Sequence, residues 1–266
     1  MNRLDRRRRL RRRFGIGALL AGLLVLLGLA APALHLIDSQ SLRLFDGGRK
    51  HPAVAAVYIS GDMGLRFGLG SEVVPALAAH GIPVVGVSSP VNFGTRKTRE
   101  QVDAIVANAI RTALARTGAQ RVILMGQSFG ADMVSATAPD LPADLRAKVA
   151  AISVVVPAET VYFRSDPTGI LYHGTPDARP SAAMRTLDWA PVICIYGREE
   201  SDSLCPTLRG SPAQVVGLPG GHFLHHDDQL VIATILATLR MADPRIFAGI
   251  FVRRTQARLD PDKSST

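Results

Sequence analysis

Six short, almost wholly apolar runs of β-favouring residues recur along the chain, at 53–60, 83–89, 121–127, 150–157, 191–197 and 213–219. A strand that is apolar at nearly every position is buried on both faces. Strands of that kind separated by helices build a mostly parallel sheet with helices packed on each side. Helices are expected at 71–80, 98–117, 129–137 and 226–241. The second is the clearest, because Val102, Ile105, Val106, Ala109, Ile110, Ala113 and Leu114 recur at helical spacing. The chain therefore reads as an α/β protein: a linker at 35–52, one domain at 53–243 and a charged tail at 244–266.

At the end of the third run stands MGQSFGADM, residues 125–133, with Ser128 between Gly126 and Gly130. A Gly-X-Ser-X-Gly turn between a strand and a helix is the setting of a nucleophile elbow. The two glycines leave room for strand and helix to approach, and the helix N-terminus turns free N–H groups, that of Phe129 among them, toward developing negative charge. A serine hydroxyl needs a base and the base needs an orienting acid, so a histidine and a carboxylate are expected further along. In the α/β-hydrolase fold the order is serine, acid, histidine. GREESDSLCP follows the fifth run and PGGHFLHH the sixth, which places Asp202 and His222 in those loops in that order. Glu199 and Glu200 come sooner after the strand and read as solvated alternatives. The loop after the first run, SGDMGLRF, offers backbone N–H groups at Asp62 and Met63 as further oxyanion donors. HFLHHDD has no second ligand cluster to complete a metal site, and neither metal nor cofactor is expected.

The net charge of +9 raises the question of an anionic partner. Residues 1–33 hold eight arginines against one aspartate, leaving only +2 on the rest of the chain. A nucleic-acid surface needs its cations on the folded domain, so nucleic acid is not expected as a partner. Residues 14–33 carry no charged side chain and are just long enough to cross a bilayer as a helix. Arginines on their N-terminal side place the following chain outside the cytoplasm. Residues 1–34 thus read either as a signal peptide, cleaved after Ala31-Pro32-Ala33, or as an anchor in the inner membrane, with a periplasmic domain in both cases. In an exported chain Cys194 and Cys205 can form a disulfide; two buried thiols are the plainer alternative. Residues 158–190 fit neither strand nor helix and read equally as a lid or a surface excursion.

These residues resemble the VirJ/AcvB family of exported, virulence-associated bacterial α/β-hydrolases. The matching stretches are YISGDMG, GIPVVGVSS, TRKTREQ, LMGQSFGAD, IYGREESDSLCP and LPGGHF, which span 58–223. The family loop SGDGGW reads SGDMGL here, with Met63 and Leu65 replacing glycine and tryptophan. The resemblance implies a periplasmic serine hydrolase with Ser128, Asp202 and His222 as its triad. It also implies an aminoacylated phosphatidylglycerol, or another lipid-derived ester, as substrate. For such a lipid Arg96 and Lys97 are expected near the phosphate, and Asp132 or Asp62 near a cationic aminoacyl group. The alternative is a non-catalytic accessory protein that binds envelope or secretion-system proteins.

Overall fold

The computed structural model describes residues 15–23 and 38–247. The chain divides into two units, Met1–Ser39 and Gln40–Thr266. In the first, residues 15–23 are helical. No helix among the described residues is long and apolar enough to cross a membrane. Most of the expected 14–33 span, with the cleavage motif at 31–33, lies outside the described residues.

The second unit is built on a seven-stranded sheet of order β1-β3-β2-β4-β5-β6-β7. Its strands are β1 (Leu42–Phe45), β2 (Val54–Ile59), β3 (Val84–Val87), β4 (Arg121–Gln127), β5 (Val149–Val155), β6 (Val192–Gly197) and β7 (Gln214–Leu218). β2 to β7 are parallel, and β1 runs antiparallel along β3 with Leu42 beside Val87. All six expected strands are present. β1 was not expected: its four part-exposed residues lie in the stretch read as a linker, where an edge strand leaves little apolar pattern.

The principal helices are α1 (Gly70–Ala79), α2 (Ser89–Phe93), α3 (Arg99–Thr117), α4 (Phe129–Thr137), α5 (Ala143–Arg146), α6 (Ser181–Arg185) and α7 (Asp228–Ala242). Alternate residues of β2 serve two cores. Ala55, Val57 and Ile59 pack in the layer that holds α3 and α4, whereas Val54, Ala56 and Tyr58 pack in the layer that holds α1 and α7. α3 starts with a capping box between Thr98 and Gln101 and stops at Gly118 in the left-handed conformation. α7 begins two residues later than expected because the Asp227 carboxylate caps it, accepting the Leu230 N–H at 3.0 Å. The expected tail is core at its start, with Ile246 and Phe247 buried; residues 248–266 lie outside the described residues.

This topology decides where a site can form. The strand order reverses between β2 and β4, and ligands of open parallel sheets bind beyond the carboxyl ends of strands at such a point. The loops after β2, β4, β5, β6 and β7 all open there.

Candidate active site

Ser128 sits between β4 and α4 at φ 52°, ψ −126°, a strained backbone for a residue with a side chain. The strain persists because both flanking glycines are in enforced contact. A Cβ on Gly126 would lie 2.2 Å from the Gly130 carbonyl oxygen, and one on Gly130 would lie 2.0 Å from that of Ile59. The Ser128 N–H donates to Val155 O at 2.9 Å, which fixes the turn to β5. Phe129 is the first residue of α4, so its N–H has no partner within the helix.

Ser128 Oγ is 2.8 Å from His222 Nε2. His222 Nδ1 is 2.5 Å from Glu200 Oε1, with the Glu200 side chain almost wholly buried. A carboxylate only accepts, so Nδ1 carries the imidazole proton and Nε2 presents its lone pair to the serine hydroxyl.

The expectation for the acid is thereby corrected: Glu200, not Asp202, faces His222. After β6 the chain turns at once, with the Glu200 N–H bonded to Gly197 O and the Glu199 N–H bonded to Gly220 O, both at 3.0 Å. This turn lies against the glycines that precede His222 and aims residue 200 at the ring. Two residues on, the chain has left to pair with the β5 loop, through an Ala158–Ser203 bridge and a Leu204 N–H bond to Pro157 O. Asp202 accordingly faces Thr160, whose Oγ1 lies 3.4 Å away. Gly197 at the strand end was the one sign in the sequence of so early a turn.

The backbone around the histidine is also constrained. Leu224, His225 and His226 are consecutive residues at positive φ, a conformation that side chains rarely adopt in series. His226 stacks on Phe223, and His225 Nε2 stands 3.9 Å from Glu199 Oε1. Val156, after β5, is a further strained position that sequence reasoning missed, at φ 48° with a β-branched side chain.

Two cavities flank Ser128. One, of about 400 Å³, is lined by Asp62, Asp132, Asp166, Glu200 and Asp202, together with Tyr162 and Tyr172. Among the described residues no lysine or arginine lines it. Asp132 accepts the Ala158 N–H at 2.7 Å. Burial, and then the charges of Asp62, Asp202 and Glu200, hold its pKa well above the usual carboxylate range. The second cavity, of about 300 Å³, is more apolar, with Met63, Phe67, Leu69, Phe223 and Leu224 on its walls.

The β2 loop reaches Ser128, since a Cβ on Gly61 would lie 3.5 Å from that of Ser128. The Asp62 carboxylate is already engaged. Its Oδ1 accepts from Ser165 Oγ at 2.8 Å, the Asp166 N–H at 2.8 Å and Tyr172 Oη at 2.6 Å, so it ties segment 158–190 over the acidic cavity. Burial and Asp62 together raise the pKa of Tyr172, keeping its hydroxyl a donor.

Arg96 and Lys97, expected near a substrate phosphate, line neither cavity. Arg96 pairs with Asp177 at 2.5 Å, and Lys97 Nζ donates to Thr95 Oγ1 at 3.1 Å. The turn before α3 is occupied in holding segment 158–190, through Arg96 and a Lys97 N–H bond to Phe163 O at 2.8 Å. Cys194 and Cys205 form a disulfide, which joins β6 to the chain just beyond Asp202.

Solved structures of low sequence identity share this fold. An alpha-beta serine hydrolase homologue from Coxiella burnetii superposes with a TM-score of 0.55 at 15% identity, covering 74% of this chain and 90% of its own. The esterase domain of a Rhodothermus marinus protein gives 0.53 at 16% identity, covering 75% and 91%. The Bacillus licheniformis lipase BlEst2 gives 0.52 at 13%, covering 74% and 98%. The architecture is thus the α/β-hydrolase fold. No curated protein matches the chain by sequence. The family model described as bacterial virulence protein (VirJ) matches residues 53–243, the whole of the sheet from β2 onward and its helices, and the chain belongs to the VirJ family.

Proposed function

We propose that the protein is an exported serine hydrolase that cleaves a carboxylic ester, with aminoacylated phosphatidylglycerol as its preferred substrate. The observation that carries the reading is the continuous relay from Ser128 Oγ through both nitrogens of His222 to Glu200. Ser128 attacks the ester carbonyl while His222 Nε2 takes its proton. The tetrahedral oxyanion is held by the Phe129 N–H and by an N–H from the Asp62–Met63 loop. As it collapses, the ester C–O bond breaks and His222 returns the proton to the leaving alcohol. Water, deprotonated by the same imidazole, then releases the acid from the acyl-enzyme. Glu200 holds the ring and stabilises its charged form throughout.

The two cavities support the substrate class. A cavity walled by carboxylates favours a cationic acyl group, such as an aminoacyl group with its free amine, and Asp132 and Asp202 are the carboxylates we assign to it. The apolar cavity on the other side of Ser128 suits the lipid part of the leaving alcohol. The disulfide accords with an oxidising compartment. Fluorophosphonate labelling of the full chain tests the chemistry: wild type is labelled and Ser128→Ala is not. A folded wild-type sample that takes no label would favour a binding protein on a hydrolase-like fold. Incubation with lysyl-phosphatidylglycerol and with a neutral acyl ester then tests the cation preference.

A further inference from the structure

We infer that the catalytic face itself docks on a lipid bilayer, through a rim of apolar side chains at the end of the sheet where the parallel strands finish. This extends the lipid-ester reading above and rests on it. Between residues 38 and 247, Met63, Phe67, Val91, Ile170, Leu171 and Phe223 are exposed large apolar side chains, with Ile170 at 72% and Phe223 at 71%. They come from four different loops or short helices, after β2, β3, β5 and β7, yet all of these open at the same end. Met63, Phe67 and Phe223 wall the apolar cavity, and Ile170 and Leu171 lie between Gly169 and Tyr172 of the acidic one. Leu230, in the first turn of α7, is exposed at this same end, and Met241, at the far end of α7, is the exception at the other end of the sheet. Exposed apolar side chains gathered at one end of the sheet, aromatic ones among them, fit an interface that accepts them shallowly.

The path of the chain says which surface covers the rim. Because β1 is antiparallel to the other strands, its first residue, Leu42, lies beside Val87 at the finishing end of β3. Ser41 O accepts the Ser88 N–H at 3.0 Å and the Asn92 Nδ2 donor at 2.9 Å, one residue from exposed Val91. The polypeptide thus enters the folded unit at the catalytic end. Upstream, only residues 34–41 separate this entry point from the uncharged run at 14–33, a reach of no more than about 28 Å when fully extended. A bilayer holding the run at 14–33 would be joined to the folded unit through its catalytic end, which is why lipid is the occupant inferred for the rim.

Trp189, the single tryptophan, stands just before β6 at the opposite end and serves as the internal reference. The full chain is reconstituted into phosphatidylglycerol–phosphatidylethanolamine vesicles with or without brominated acyl chains. Phe223→Trp and Ile170→Trp are each placed in a Trp189→Phe background. Docking is expected to quench both rim tryptophans roughly twofold in brominated vesicles and to leave native Trp189 unquenched. Rim tryptophans no more quenched than Trp189 overturn the inference. In a second arm, Ile170→Asp with Leu171→Asp should slow hydrolysis of the vesicle-borne lipid ester about tenfold, while turnover of a soluble short-chain ester is retained. Equal loss on both substrates counts against docking. Fluorophosphonate labelling separates the two readings: label without quenching removes docking alone, and quenching without label removes the hydrolase reading that gives it purpose.

Discussion

Glu200 Oε1 lies 2.5 Å from His222 Nδ1, while Asp202, in the same loop, is turned toward Thr160. The two carboxylates therefore have separable effects. Glu200→Gln removes the negative charge that stabilises the protonated imidazole and puts an amide donor within reach of Nδ1, favouring the wrong tautomer, and kcat should fall roughly 10³- to 10⁴-fold. Asp202→Asn should leave kcat on a neutral ester nearly unchanged and raise KM for a cationic one. Steady-state kinetics on a neutral and a cationic chromogenic ester check both, and the reverse pattern would return the orienting role to Asp202.

Asp132 is a buried acid whose pKa burial and neighbouring carboxylates raise. Because the unfolded chain ionises it at lower pH than the folded protein does, this group removes stability as pH rises above its unfolded pKa. Asp132→Asn keeps an acceptor for the Ala158 N–H without the charge. Its Tm should match wild type near pH 3 and exceed it by a margin that widens toward neutrality. Selectivity for a cationic over a neutral acyl group should fall in the same variant. A Tm difference independent of pH would contradict the assignment.

Reduction of the Cys194–Cys205 bridge, which spans a sequence separation of 11, should cost about 3 kcal/mol in the chain-entropy model. For a domain of this size that lowers Tm by roughly 6–12 °C. Cys194→Ser with Cys205→Ser should reproduce the shift and become insensitive to reductant. Thermal unfolding with and without reductant measures it.

Asp243, at the end of α7, accepts from Arg245 Nε and from Arg121 Nη1 of β4, each at 2.8 Å. The Arg245 hydrogen bond first, and Arg121 after it, bring its pKa down to about 2. A depressed acid stabilises the fold above its unfolded pKa and loses that contribution as pH falls through the folded one. Asp243→Asn should therefore cost about 1 kcal/mol at neutral pH, discounted for the solvent around Arg245, and almost nothing by pH 2. Urea unfolding at the two pH values reads the difference.

The turn at Ser128 was readable from five residues, because steric demand inside it is local: Gly126 and Gly130 are required by carbonyls that would meet a Cβ at 2.2 and 2.0 Å. The five inner strands were readable for a related reason, since burial on both faces leaves a continuous apolar signal, and edge strand β7 carries a similar run although four of its five residues are only part-buried. His222 followed from loop order in the fold. β1, short and at the edge, left no such pattern.

Residue types and loop order placed an acid near His222, but three carboxylates share that loop, and only the turn at Gly197–Glu200 packed on Gly220 selects among them. Asp62 and Arg96 likewise looked available in the sequence, yet folding engages the first with Tyr172 and the second with Asp177. The physical reason is common to these cases. Backbone conformation follows from contacts between neighbours in sequence, whereas the direction of a side chain follows from whichever distant segment packs against it.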